Sequence, residues 1–403
     1  MHFLSAIAVA LIITLLSALQ CASAGEQAER AVAAVRALVA AGKAGPASVI
    51  NLVAKQGNIA SFLGQDHELK LEWEQATGIR ISSRIMPQVA SLELIRSATD
   101  IDLTVARNRE YADLYTEGLI RDLTPLYQRF GFVPPNHGGT DFPLAALQST
   151  YAGRQVAIPA DCDIALLYLR TDLMADPANR QAFSQQYGRH LAPPETWSEY
   201  ADLVRFFNRP AQEFYGSLEQ REPLTAWMFW LPRYLSQSSP NQLLFDDAMR
   251  PLINSPQGVA ATQNYLANVA LSPPDILKEG NDYSYTLPLF MLGRGFATII
   301  TIAGAKLFNS DNSRVRGKVQ AYPLPGTRVD GRLVRRSTLI YGNNMVIPKH
   351  APSPELAFLF AMWLTDPDNS VRSVGVRGGF TDPYRFSQLQ APRIRNIYTE
   401  QAL

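Results

Sequence analysis

Two cysteines, Cys21 and Cys162, are all that the 403 residues contain. So few exclude a disulfide-stapled scaffold and a thiolate-rich metal centre. Histidine is nearly as scarce. His2, His67, His137, His190 and His350 are scattered, and none falls into an H-E-x-x-H pair. No G-x-S-x-G elbow and no P-loop lysine motif occurs, so these hydrolase and nucleotide-binding signatures are missing. Neither sign of charge is in excess. Lys+Arg number 37 against 36 for Asp+Glu, without the basic surplus of a chain that tracks nucleic acid. Beyond residue 24 no apolar run is long enough to span a bilayer. What is present is ordinary globular composition, 47% hydrophobic and 18% charged, which argues against long disorder. The length implies two or more domains.

Met1–Ala24 carries no Lys, Arg, Asp or Glu and reads as an export signal. The apolar run Phe3–Leu19 is followed by Cys21-Ala22-Ser23-Ala24-Gly25, and Ala22 and Ala24 are the small residues that place cleavage after Ala24. A buried helix or a membrane anchor is the alternative reading, although about 17 residues are marginal for spanning. Gln20 sits where a lipoprotein signal needs a small residue, which leaves lipidation of Cys21 open. Cleavage leaves Cys162 alone, a composition that suits the periplasm of a bacterium.

Gln27–Gly42 has Val32, Val35, Leu38 and Val39 on one face and predicts an amphipathic helix. The β-branched run Ser48–Ala54 predicts a buried strand emptying into a turn at Lys55-Gln56-Gly57-Asn58. A helix over Leu63–Thr77 closes at Gly78. Strands follow at Ile79–Ile85 and Asp102–Ala106, and a short helix at Tyr111–Gly118. This repeated order predicts parallel strands with helices on both faces. Further strands are expected at Arg154–Pro159, Ile164–Arg170, Phe296–Ile302 and Tyr341–Pro348. Three helix starts are marked: the capping box Thr196/Glu199 and Ser255-Pro256 between these strands, and Ser353-Pro354-Glu355 after them.

Several segments carry a resemblance. Glu68–Ile79 (ELKLEWEQATGI), Tyr111–Leu123 (YADLYTEGLIRDL) and Ala157–Leu173 (AIPADCDIALLYLRTDL) come first in the chain. Pro193–Tyr200 (PPETWSEY), Gly293–Ala305 (GRGFATIITIAGA) and Tyr341–Lys349 with Glu355–Pro367 follow. In this order they resemble the extracellular solute-binding proteins of ABC importers, in the sugar-binding, maltose-binding-protein-like family. The resemblance implies an α/β, two-lobed periplasmic-binding-protein fold with a hinge and an interlobe ligand cleft. It implies a periplasmic, monomeric, non-enzymatic carrier that hands a sugar or polyol to a membrane permease. No cofactor and no metal is expected. The lobes are expected at 46–159 with 293–337, and at 160–292 with 338–403, preceded by a signal (1–24) and a helical extension (25–45). That extension lies outside the resemblance.

A sugar offers hydroxyls on its rim and an apolar face, so its binder needs carboxylates, amides and arginines around an aromatic ring. In doubly wound sheets such groups lie in loops beyond the strand ends. Gln56 and Asn58 follow the first strand, where simple turn chemistry is the alternative. Asn108 and Arg109 match the family position that supplies rim contacts; a surface ion pair is the alternative for Arg109. Asp161 and Asp163 flank a polar crossing and, two apart on extended chain, point the same way. Loop capping competes with ligand contact there, and Cys162 between them reads as a small buried residue. Trp227 and Trp230 share a helix face, as a stacking platform or as lobe core. Tyr341 and Asn343 sit in a late strand-end loop. The family's aromatic after the Ile299–Ile302 strand is missing here, which weighs against maltodextrins and leaves Tyr341, Tyr283 or Tyr285 as substitutes. In Gly378-Gly379-Phe380-Thr381-Asp382-Pro383-Tyr384-Arg385, which resembles a loop of some polyol and sugar binders, Asp382 is a candidate that alternatively pairs with Arg385, and the preceding Arg377 is another candidate. A ligand-presenting sensor and a glycoside-acting enzyme are the rival functions; the second needs two carboxylates from separate elements.

Overall fold

The computed structural model describes residues 25–86, 91–135, 141–142, 144–223, 226–337 and 342–398. The export signal and Tyr341 lie outside them. Contacts divide the chain into two units, Met1–Cys162 with Gly342–Ile394, and Asp163–Tyr341 with Arg395–Leu403.

The first unit opens with helix α1 (Glu26–Ala40). Strand β1 (Val49–Ala54) runs directly into α2 (Gln56–Leu63), so the expected turn at Gln56–Asn58 is instead the first turn of a helix. Helix α3 (Glu68–Thr77) stops at Gly78, whose φ of 74° is the left-handed conformation that glycine takes without strain. Strands β2 (Arg80–Ile85) and β3 (Leu103–Ala106) flank β1 in parallel, followed by α4 (Tyr111–Thr116). The chain then builds the second unit. Its strand β4 (Ala165–Arg170) precedes α5 (Trp197–Phe207), which carries the expected Thr196/Glu199 capping box. Strand β5 (Tyr215–Ser217), α6 (Ala226–Leu235) and α7 (Pro256–Ala267, capped by Ser255) lead to β6 (Gly295–Thr301) and β7 (Val319–Tyr322). Returning to the first unit, β8 (Asn344–Val346) adds to the sheet edge, and α8 (Pro354–Leu364) and α9 (Pro367–Val374) follow.

The sheet orders are β8-β3-β1-β2 and β5-β6-β4-β7. Neither is all-parallel, contrary to the expectation from strand–helix alternation. β8 runs antiparallel to β3, and β4 antiparallel to both β6 and β7. Each pairing joins strands far apart in sequence, so local alternation carries no information about it.

The same pairings correct the lobe boundaries. Residues 293–337 belong to the second unit, because β6 pairs with β4 from Ala165↔Thr301 to Leu169↔Ala297. Residues 342–394 belong to the first, because β8 pairs with β3. The crossing between units falls between Cys162 and Asp163, which separates the two aspartates. The helical extension also proves integral to the first unit. Ala31, Val35 and Leu38 of α1 lie in its core, and α1 packs on α8, of which residues 356–364 are all buried. A helix apolar on every side must be covered on every side, and α1 supplies one of those covers.

Candidate functional site

The carboxyl ends of β1 and β3 and the start of β8 share one edge of the first sheet, since Asn344 pairs with Ala106. Four segments converge there. Asp161 is fully buried. Its Oδ2 accepts from the backbone N–H of Asn343 at 2.8 Å and from Asn343 Nδ2 at 3.3 Å, and its Oδ1 accepts from the N–H of Asp382 at 2.7 Å. Burial, and after it the charge of Asp382, push the Asp161 carboxyl up to about 7, against the three donors that favour its ionised form. Gly342 packs against the Asp161 backbone, where a Cβ would come within 2.3 Å of its carbonyl oxygen.

At the same edge α2 presents Gly57 and Asn58. The Gly57 carbonyl accepts from the N–H of Phe380 at 3.0 Å, and Ser61 Oγ accepts from the N–H of Thr381 at 3.3 Å. The Phe380 ring lies flat on Gly57: a Cβ there would sit 2.2 Å from Phe380 Cγ. The ring remains 37% exposed, an aromatic face seated on a helix turn. Asn58 is fully buried, yet both polar atoms of its side chain have no hydrogen-bond partner among the described residues. An unpaired buried amide costs about 1–3 kcal/mol, so its place calls for a partner.

The second unit has a corresponding edge. β5 runs parallel to β6, and the start of β4 lies beside the end of β6. Residues 217–222, leaving β5, are buried throughout, although four of the six are charged or amide-bearing (Glu219, Gln220, Arg221 and Glu222). Glu219 Oε1 accepts from Tyr200 Oη at 2.8 Å, Arg233 Nη2 at 2.9 Å and Ser217 Oγ at 3.3 Å, and pairs with Arg221 Nη2 at 3.5 Å. Burial pushes Glu219 upward, but the charges of Arg233 and Arg221 outweigh it and hold the carboxyl below its usual range. Arg233 lies 4.0 Å over the Trp197 ring, and Arg221 lies 4.2 Å over Tyr265. Glu219 Oε2, Arg221 Nε and both polar atoms of Asn268 are buried without a hydrogen-bond partner among the described residues.

The expected residues divide accordingly. Asn58, Asp161, Asn343 and Asp382 belong to the first edge, with Asp161 tied to Asn343 and Asp382. Arg385, the alternative partner considered for Asp382, pairs with Asp141 at 3.5 Å. Gln56 is exposed at the start of α2, and Asn108 and Arg109 form one 3-10 turn in which Arg109 faces solvent. Arg377 is exposed and gives its backbone N–H to Gln65. Asp163 is buried just before β4 and belongs to the other unit. Trp230 is core: its Nε1 donates to Thr262 Oγ1 at 3.0 Å, and it stacks on Tyr234. Trp227 is 40% exposed on the same helix. Cys162 is buried, as expected. Among the described residues no group of three or more His, Cys, Asp or Glu could hold a metal ion. Sequence reading missed Phe380 as a ring platform and the whole Glu219–Arg221–Arg233 cluster. The only hints were the glycines before Phe380 and the density of charge in 219–222.

Two α/β units built around mixed four-stranded sheets, with the chain crossing out and back, define the fold of the two-lobed periplasmic binding proteins. The family model of bacterial extracellular solute-binding proteins matches residues 59–381, and the chain belongs to that family. Among similar solved structures is a maltose-bound MalE3 of T. maritima, 21% identical, covering 88% of this chain and 86% of that one with a TM-score of 0.67. A solute-binding protein of Agrobacterium radiobacter K84 in complex with ribitol is 20% identical over 87% and 84% of the two chains, TM-score 0.66. One of Agrobacterium vitis S4 with bound D-mannitol is 16% identical over 87% and 81%, TM-score 0.66. Among the described residues no helix is long and apolar enough to cross a membrane.

Proposed function

We propose that this chain is the solute-capturing component of an ABC importer, a monomer that works in the periplasm, binds a sugar or polyol and passes it unaltered to a membrane permease. The observation that carries the solute class is the first-unit edge. It combines an amide with unfilled hydrogen-bonding capacity (Asn58), a second amide on a carboxylate (Asn343 on Asp161) and an open aromatic face (Phe380). Amides and carboxylates suit hydroxyls, and the ring suits the C–H face of a carbon chain or pyranose. In the second unit, Glu219 Oε2, Arg221 Nε and the Asn268 amide are among the described groups with capacity left for a ligand. The ribitol, mannitol and maltose held by the similar structures support the same solute class. A binding role without chemistry fits Asp161, whose carboxylate is already held by three donors.

Thermal-shift screening of the exported protein against sugars and polyols tests this reading. A ligand at a hundred times its dissociation constant stabilises by about 2.7 kcal/mol, a readily measured shift. The expected result is a shift with one solute class, greatly reduced in Asn58→Ala. No shift with any hydroxylated solute rules the assignment out.

A further inference from the structure

Gly25 and Asp366 stand in a relationship that solute binding does not require. Asp366 is fully buried. Its carboxylate accepts from the backbone N–H groups of Asp368 at 3.1 Å, Ala28 at 3.1 Å and Gly25 at 3.3 Å. The first contact caps α9, and the other two come from the opening turn of α1. Helix α1 begins at Gly25, which has no side chain to cap it, so Asp366 caps it from a distant element. Gln27 adds a second tie, its Nε2 donating to the Met362 carbonyl at 2.6 Å. Yet no lysine or arginine pairs with Asp366 among the described residues, and Glu26, Glu29 and Asp368 nearby on the two helices are acidic. A buried carboxylate held only by amides lacks the counter-ion that would offset its desolvation.

We propose that cleavage between Ala24 and Gly25 supplies that counter-ion, the new α-ammonium of Gly25 pairing with Asp366 and locking α1 onto α8 and α9. This rests on the reading of Met1–Ala24 as a removed export signal. Water adds across the Ala24–Gly25 peptide bond, leaving a carboxylate on Ala24 and an ammonium on Gly25. The charge then forms on the nitrogen that lies 3.3 Å from Asp366 Oδ1. In the uncut chain that nitrogen is a neutral amide at a φ of 93°, a left-handed conformation. Processing thereby stabilises the first unit.

Mass spectrometry of the exported protein gives the terminus, and Gly25 is the expected result; any other terminus overturns the processing step. Thermal unfolding is then compared for chains that begin at Gly25, retain Ser23-Ala24, or carry an acetylated Gly25 amine. The Gly25 chain is expected to melt about 2–4 °C above both others. In Asp366→Asn the three melt together. Equal melting of the three forms with Asp366 intact overturns the ion pair, whether or not the Asn variant folds.

Discussion

Asp382 donates its backbone N–H to Asp161 Oδ1 at 2.7 Å across 221 residues of sequence. Asn343 completes the contact on Oδ2, so one carboxylate ties the crossing segment, the entry to β8 and the late glycine-bearing loop together. Asp161 thus braces the residues around this edge of the first sheet. Asp161→Ala leaves two backbone N–H groups without an acceptor, and the expected loss of stability is about 2–4 kcal/mol. Urea unfolding measures it. A loss below 1 kcal/mol would show that the brace is dispensable.

The same carboxylate gives the protein a pH signature. Its folded value near 7 lies above the ordinary one because burial, and then Asp382, disfavour the charge. Between about pH 4 and 7 the folded state keeps a proton that the unfolded chain has released, so stability falls as pH rises through this window and levels off above it. Asp102 is also raised by burial and adds a slope of the same sign. Asp161→Asn is therefore expected to flatten part of the decline, in urea midpoints taken from pH 4 to 8.

Asn58 separates binding from folding. Its amide makes no hydrogen bond to a described residue, so Asn58→Ala removes none and should not lower stability. Affinity for the captured solute should fall at least about tenfold, equivalent to one lost hydrogen bond of about 1.4 kcal/mol. Titration calorimetry reads both the affinity and the stoichiometry. Unchanged affinity would remove Asn58 from the site.

Gly57 and Phe380 form a second testable pair. Gly57→Ala places a methyl 2.2 Å from Phe380 Cγ, so the ring must leave its seat. The expected cost is about 1–3 kcal/mol of overpacking, with weakened solute binding. Adding Phe380→Ala should restore stability by removing the clash but leave binding weak. A double variant that regains affinity would show that the ring is no platform.

In the second unit, Glu219 neutralises two buried guanidinium groups. Glu219→Ala leaves Arg221 and Arg233 uncompensated and should cost about 3–5 kcal/mol, seen as loss of the folded second unit in denaturant titration. Glu219→Gln keeps the oxygen acceptor and should cost less.

Much of this architecture is legible in the sequence where the signal is local. The Thr196/Glu199 box, Ser255 before Pro256 and Gly78 after α3 each act within one helical turn, and all three appear as expected. Pairing is not local. Nothing in Phe296–Ile302 says that it lies against Ala165–Arg170, so the sequence does not show that residues 293–337 belong with the second unit. Asp161 and Asp163 read as one group because they are neighbours in sequence, whereas the chain changes units between them. The charged run at 219–222 suggests a solvated surface by composition alone. Its burial depends on Arg233, Tyr200 and Tyr265, which arrive from α5, α6 and α7.

The most direct measurement is calorimetric titration of the exported protein with the sugar or polyol that shifts its melting most, followed by chemical analysis of the recovered solute. The account predicts one molecule bound per chain, with micromolar or tighter affinity, and the solute returned intact. Absence of saturable binding, or a solute recovered cleaved or modified, would contradict it.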